Sequence, residues 1–358
     1  MKNNILKYFI LLLSVLVILT VYLSTVGIET DKFNDQIKKR ILLINKKIDI
    51  DLKKIKLTLD PFKLKIYAKT VGTTVYFSKR PLALESIKTQ VSLSSLIKNK
   101  ISSSNIEVKT KSILLNDLIK FIRTTTNKPE LFILEKIVKK GHVIIDLSLN
   151  IDENGKIKND YKIKGIIKNA NLNILNQAKL ENINLDFDLQ QDNYLLNNIK
   201  FKLDEIDFIS EKLNIKKISN SFLINGVVKN NESNFNINIL KLLNLNFKNI
   251  QIRDIKFNSN NNFSLEIDNK LKVSNVVLNS DIIIKQLKYK KPNFIQKYFL
   301  DINDLILLRN HKLKINYKNN NLSVKGEGKI QLENEIDEIK YFINKKDKSI
   351  KANTELFL

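Results

Sequence analysis

Residues 47–68 read KIDIDLKKIKLTLDPFKLKIYA. Ile48, Ile50 and Leu52, then Ile55, Leu57 and Leu59, then Leu64, Ile66 and Ala68 alternate there with charged or polar residues. Successive side chains of a strand point to opposite faces. Each run therefore has one apolar and one wet face, the mark of an antiparallel sheet solvated on one side. Pro61 falls between runs, where its missing N–H interrupts no ladder. The stretch predicts a mainly β chain.

The same alternation extends outward. IKTQVSL and KISSSNIEV form a further strand pair after Pro81. Ser112 then opens a short helix, SILLNDLIKFIR, and Pro129 starts another, PELFILEKIV, near the first helical position where proline is tolerated. Beyond Gly141 the alternation is almost unbroken. HVIIDLSLNI meets a turn at Glu153-Asn154-Gly155 and NDYKIKGII returns, a hairpin by its Asn-Gly signal. AKLENINLDFDL, the turn QQDN and LNNIKFKLDEIDF follow; SFLINGVVK, the turn NNES and NFNINIL repeat the design. So do IQIRDIKF, the turn NSNNN and FSLEIDN, and finally KLKINY, the turn KNNN and LSVKGEGKIQL. The one clear interruption, PNFIQKYFLDINDLILL over residues 292–308, reads as a helix opened by Pro292. The count comes to roughly 20 strands of ordinary length. There are only eight glycines, and Asn-rich clusters supply the left-handed conformation that tight turns need. No short repeat of fixed spacing appears, which argues against a propeller or a hexapeptide β-helix.

Ahead of the strands, Tyr8–Ile28 (YFILLLSVLVILTVYLSTVGI) runs 21 residues without a charge. As a helix it reaches roughly 30 Å, the thickness of a bilayer's hydrocarbon layer, with Tyr8 and Tyr22 near its ends. A cleaved signal peptide has a shorter apolar core ending at a small-x-small site. Leu23-Ser24-Thr25-Val26 is a poor one, so an uncleaved single-pass anchor is expected. Lys2 and Lys7 precede the segment, and Lys32, Lys38, Lys39 and Arg40 follow it; the positive-inside rule leaves the orientation undecided. A helix capped by Thr30, with Phe33, Ile37, Ile41 and Ile44 on one side, is expected next. The organisation expected is a tip and membrane helix over 1–28, a strand-plus-helix module over 29–128, and an extended β region over 129–358.

The formal charge of +24 is nearly all lysine, with arginine only at positions 40, 80, 123, 253 and 309. Nucleic-acid readers favour Arg, whose planar fork pairs with phosphate and guanine. Heavy use of Lys, Asn and Ile is the coding bias of an AT-rich genome, and part of the charge suits anionic lipid headgroups. No cysteine is present, which excludes disulfides and thiolate ligands. His142 and His311 are far apart in sequence and read as solvated or packed. Gly326-Glu327-Gly328-Lys329 lacks the spacer and the Ser/Thr of a phosphate loop, so its glycines read as strand glycines. Asp186, Asp188, Asp204 and Asp207 alternate with apolar residues and fall on a wet face. No catalytic residue, metal ligand or cofactor is expected, and the reading is of a non-enzyme.

About 20 one-sided strands carry more apolar surface than three or four short helices can cover. The sheet must close on itself as a sandwich or barrel, or curl into a trough whose apolar face meets a ligand. Packing alone favours the closed forms. Residues 44–66, INKKIDIDLKKIKLTLDPFKLKI, and then LALESIKTQVSLSSLIKNKISSSNIEVKTKSILLNDL resemble the N-terminal module of the AsmA-like family, the group of YhdP and TamB type. Leu93-Ser94-Ser95-Leu96-Ile97, Lys100-Ile101, Gly165 and Leu180-Glu181-Asn182-Ile183 carry the likeness. The resemblance implies an inner-membrane protein of Gram-negative bacteria, single-pass, with its C-terminal domain in the periplasm. It further implies a long twisted β-sheet curled into an apolar groove that conducts phospholipid acyl chains for outer-membrane lipid homeostasis. Family members are much longer, so a short member, an assembly of copies or a truncated chain are all compatible. Groove candidates are Ile48, Ile50, Leu57, Leu64, Ile66, Val143, Ile145, Leu147, Leu185, Phe187, Phe201, Phe222, Ile224, Ile237, Phe263, Leu265 and Ile267. Phospholipids are the expected partners, with outer-membrane or periplasmic proteins beside them and no nucleic acid. The alternative is a scaffold for outer-membrane biogenesis with a closed, dry core.

Overall fold

A computed structural model describes residues 2–32, 34–44, 47–77, 79–92, 105–125, 129–152, 158–174, 178–235, 252–270, 272–291, 302–346 and 349–357. Helix α1 (Lys2–Thr25) opens the chain. Its segment Leu6–Thr25 has a mean hydropathy of 2.4 and no buried residue. By length and composition it can cross a membrane, and a signal sequence would pass the same test. The helix stops before the uncharged run does. The N–H groups of Val26 and Gly27 both donate to the Tyr22 carbonyl, and Gly27 sits at φ 72°. A Cβ there would run into the Leu57 carbonyl and the Thr58 side chain, so only glycine fits both the left-handed turn and the approach. Strand β1 (Ile28–Thr30) follows and pairs Ile28 with Leu57. Thr30 therefore ends a strand instead of capping a helix, and α2 (Asn34–Ile44) starts later than expected. Asn34 Nδ2 ties its first turn to the Leu52 and Lys53 carbonyls at 3.0 Å.

The chain groups into two compact units. The first holds residues 1–135, 142–166 and 188–191; the second holds 136–141, 167–187 and 192–358. In the first unit, β2 (Ile48–Asp51), β3 (Ile55–Asp60), β4 (Lys65–Val71), β5 (Thr74–Phe77), β6 (Arg80–Ser92), β7 (Asn105–Thr110), β8 (Ile113–Leu114) and most of β9 (Val138–Asn150) pair antiparallel. The ladder runs β1–β3–β4–β6–β7–β9, with β2–β5 branching from the start of β6 and β8 beside β9. Helix α3 (Leu115–Thr125) lies against β5 and β6 and closes a small core. Phe77 meets Phe121 edge-on at 6.1 Å, and Ile50, Ile55, Leu84, Ile119 and Val143 are buried. Helix α4 (Pro129–Ile137) joins α3 through an Arg123–Glu135 ion pair at 2.7 Å. Both helices were expected, although β8 takes the first two apolar residues of the first one.

The second unit is a meander. After β10 (Lys162–Ile174) and β11 (Ala178–Gln190) come β12 (Asn193–Leu203), β13 (Ile206–Ile218), β14 (Ser221–Asn234), β15 (Ile252–Asp268), β16 (Val273–Lys290), β17 (Leu305–Lys318), β18 (Asn321–Gln331), β19 (Asp337–Lys346) and β20 (Ser349–Phe357). From β12 on, each pairs antiparallel with the next. The twenty strands belong to one open sheet, not closed into a barrel. That corrects the preference for a sandwich or barrel on packing grounds.

Several sequence readings are corrected here. LNNIKFKLDEIDF is a hairpin: Asp204 and Glu205 take φ of 45° and 73° and turn β12 into β13, the left-handed pair of a type I′ turn. NNES and NSNNN are strand, with Asn230 paired to Ser259. The expected helix over 292–308 fails at its described end, because Leu305–Leu308 belong to β17 and pair with Lys290–Leu287 of β16. Its earlier part lies outside the described residues, as do the Glu153–Gly155 turn, most of NFNINIL and Leu93–Ile101. KNNN is a turn, with Asn319 and Asn320 at φ of 50° and 62°.

A second use of left-handed Asn recurs inside the strands. Asn169, Asn182, Asn198, Asp254, Asn275 and Asn310 have φ of 51°, 52°, 53°, 52°, 51° and 51°. Each is the third residue of an apolar–x–Asn/Asp–x quartet: IKNA, LENI, LNNI, IRDI, VSNV and LRNH. At Asp254, Asn275 and Asn310 the register shifts so that two residues face one across the ladder. Such a bulge absorbs one residue. Apolar positions on either side, spaced by three instead of two, then return to the same face. At two of the left-handed residues neighbouring side chains take up the amide: Asn182 N–H donates to Asn171 Oδ1 and Asn169 N–H to Asn184 Oδ1, both at 3.1 Å.

Candidate functional site: the apolar face of the meander

Residues directly opposite in an antiparallel pair share a face, so the register can be followed across strands of the second unit. One row runs Leu196, Leu213, Gly226, Phe263, Leu278, Tyr317 and Leu322 from β12 to β18. Beside it lie Tyr194, Ile215, Ile224 and Leu265. Two positions the other way come Val228, Asn261, Ser280, Ile315, Val324 and Ile343. The intervening rows face the other way and are mostly polar: Leu195, Asn214, Asn225, Ser264 and Val277 in one, and Val227, Asn262, Asn279, Asn316, Ser323 and Asn344 in another.

The apolar face carries rings and branched chains that no second layer covers among the described residues. Leu196, Leu213, Phe263, Leu278, Tyr317 and Leu322 are all half-buried. Phe201 stacks on Phe208 at 5.4 Å, and Tyr194 lies 6.2 Å from Phe222. The face is interrupted by a polar knot. Ser259 Oγ donates to Asn230 Oδ1 at 2.5 Å, Asn261 Nδ2 donates to Ser259 Oγ at 2.8 Å, and Asn261 also reaches the Val228 carbonyl.

His311 is fully buried beside this face. Its Nε2 lies 2.9 Å from the Lys329 carbonyl. A carbonyl only accepts, so Nε2 carries the proton and Nδ1 is left a bare acceptor, without a partner. Burial pushes the imidazole pKa down, and the carbonyl bond only partly opposes this. Gly328 lies across from the Asn310 bulge, where a Cβ would meet the His311 ring and backbone; at Gly326 a Cβ would meet the Tyr341 ring. Burial raises the Tyr341 hydroxyl pKa. The two strand glycines thus make room for two rings.

The sequence candidates among the described residues fall into four groups. Phe222, Ile224, Phe263, Leu265 and Ile267 share strands β14 and β15, where Phe222 pairs with Ile267 and Ile224 with Leu265. Leu185, Phe187 and Phe201 are half-buried on β11 and β12. In the first unit Ile48, Leu57, Ile66, Ile145 and Leu147 are half-buried strand residues, and Leu57 pairs with Ala68 and Leu147 with Val108. Three depart from the expected open face. Ile50 (5% exposed) and Val143 (1%) are buried in the first unit, and Leu64 sits in the β3–β4 turn, 61% exposed at φ 50°. Ile237 lies outside the described residues. Leu196, Leu213, Leu278, Tyr317 and Leu322 were missed; the three-residue spacing around Asn198 and Asn275 is the signal for Leu196 and Leu278, and plain alternation marks the other three.

Other polar groups are not brought together. Asp186 accepts from Asn198 at 2.7 Å, and Asp207 faces Lys202 at 3.6 Å. Partial burial pulls the Asp188 carboxyl upward, but the Gln190 hydrogen bond and the charges of Lys162 and Lys164 outweigh it and hold it below its ordinary value. His142 is exposed. Among the described residues no group of three or more His, Cys, Asp or Glu is placed to hold a metal. No family model matches the chain, and no curated protein or solved structure matches it either.

Proposed function

We propose that this chain is a single-pass, membrane-anchored lipid-binding protein of AsmA-like type. In this reading α1 sits in the inner membrane of a Gram-negative bacterium, the sheet lies in the periplasm, and phospholipid acyl chains travel along its apolar face for outer-membrane lipid homeostasis. One observation supports it above the rest: the row from Leu196 to Leu322 is apolar over β12–β18 and meets no second layer among the described residues. A contiguous apolar row without a second layer is the kind of surface that marks an interaction site. Each methylene covered is worth about 0.8 kcal/mol, so a chain of about 16 carbons gains roughly 12 kcal/mol over water when fully covered. The polar rows on the opposite face stay hydrated whatever the apolar face binds. No covalent chemistry is assigned to the chain.

Photo-crosslinking in living cells tests this with the full protein. Benzoyl-phenylalanine replacing Phe263 should capture phospholipid, whereas the same group at Asn225, on the opposite face, should not. Equal capture at both positions, or capture of protein alone at Phe263, would overturn the reading.

A further inference from the structure

The turn between β3 and β4 presents bare apolar side chains beside the membrane-length helix. Phe62 is 97% exposed and Leu64 61% exposed, the former among the least covered large apolar side chains in the protein. A crevice of about 660 Å³ separates this hairpin from α1, with Leu16, Val17 and Thr20 on the helix side and Pro61, Phe62 and Tyr67 on the other. Of the helix residues from Leu6 to Thr25, only Thr20, Leu23 and Ser24 are partly covered. The hairpin therefore runs back along the last part of α1 while leaving the rest of the helix free.

From the structure we infer that the β3–β4 hairpin tip is a second membrane contact, its Phe62 and Leu64 inserting among acyl chains next to α1. The inference rests on α1 spanning a bilayer. Thr25 ends the helix, and Leu16 lies nine residues earlier, about 13 Å along the axis at 1.5 Å per residue. If Thr25 marks the interface, a tip level with Leu16 and Val17 stands within the hydrocarbon. The turn is built to lose water there. Pro61 has no N–H to satisfy, and the Lys63 N–H donates to Asp60 Oδ1 at 3.0 Å, so two positions of the tip present no bare backbone donor to hydrocarbon. Thr20, Ser24 and Thr25 likewise give their hydroxyls to carbonyls one turn earlier, at 2.7–2.8 Å. Lys63 is exposed at the tip, with an aliphatic stem able to snorkel toward headgroups.

The chain contains no tryptophan, so one substitution gives a single-site depth probe. Full-length Phe62→Trp, reconstituted in vesicles of phosphatidylethanolamine and phosphatidylglycerol, should show blue-shifted emission. It should lose most of its intensity when the acyl chains are brominated. Phe9→Trp, inside α1, is the positive control, and Phe357→Trp, exposed on β20, is the aqueous control. Phe62→Trp emission matching Phe357→Trp, with Phe9→Trp quenched, would overturn the hairpin contact and leave the membrane span standing. An unquenched Phe9→Trp would overturn the span itself, and the hairpin contact with it. Phe62 makes so little contact that its replacement should not disturb folding; an unchanged melting temperature checks this.

Discussion

The open apolar face can be tested at Phe201. Phe201→Ala removes the ring stacked on Phe208 at 5.4 Å, worth about 1 kcal/mol as an aromatic pair. It also loses the transfer energy of a half-buried ring, about 2 kcal/mol. Phe201→Asp removes the same ring and adds a carboxylate. On a face open to water the carboxylate stays hydrated, so the two variants should differ by less than about 1 kcal/mol. Beneath a second packed layer the charge would be buried without a partner and would cost roughly 4 kcal/mol more than alanine. At about 3 °C per kcal/mol for a unit of this size, the open face predicts melting temperatures within about 3 °C of each other. The closed one predicts a gap above about 10 °C. Calorimetry on the full chain in nanodiscs reads the difference. A large gap would refute the exposed face and, with it, the acyl-chain reading. A small gap with unchanged lipid crosslinking at Phe263 in the Asp variant would refute passage over this position while keeping the face open.

Three further outcomes follow from the geometry. Asn182→Ala should cost about 1–2 kcal/mol because Ala resists the left-handed bulge, whereas Asn182→Gly should be near neutral; urea unfolding of both variants checks this. His311 has a depressed pKa, so the unfolded chain binds more protons than the folded one as pH falls below about 6.5. Stability should therefore be full above that value and decline toward the lower folded pKa, and His311→Gln should flatten this window in urea midpoints taken at stepped pH. A reporter fused after Leu358 should be active only in the periplasm, and protease added to spheroplasts should digest the chain beyond about residue 30; cytoplasmic activity would reverse the proposed orientation.

Alternation made the sheet legible, but not the places where alternation stops. In Lys47–Ala68 strands β2, β3 and β4 fall where the alternation puts them except at Leu64, which lies in the β3–β4 turn, and the Asn319–Asn320 pair coincides with a reversal. The same composition at Asn230–Ser233 and Asn258–Asn262 lies within strands β14 and β15, where none of these residues is left-handed and Asn230 and Ser259 bond to each other across the ladder. Asp204-Glu205 went unseen for the opposite reason: it turns the chain without Gly or Asn. Leu305–Leu308 after Pro292 looked helical because a short apolar run has no period of its own; its partner on β16 decides it. Ile50 and Val143 alternate like any groove residue, and only the tertiary packing of the first unit removes them from the surface. Leu180-Glu181-Asn182-Ile183 stood out as a motif, but its recurrence in five other strands appears only once the backbone angles are known.

The contrast between local and distant strand pairing bears on how the chain matures. From β12 to β20 every strand waits only for its immediate successor. This ladder can grow one strand at a time as the polypeptide emerges, each addition templated by the edge just laid down. The earlier part joins β2 to β5, β4 to β6 and β7 to β9 across intervening segments, and so must close longer loops before those contacts repay them. The α1-proximal half would then set the pace of folding, and the growing edge would stay exposed to stray pairing until its next strand arrives.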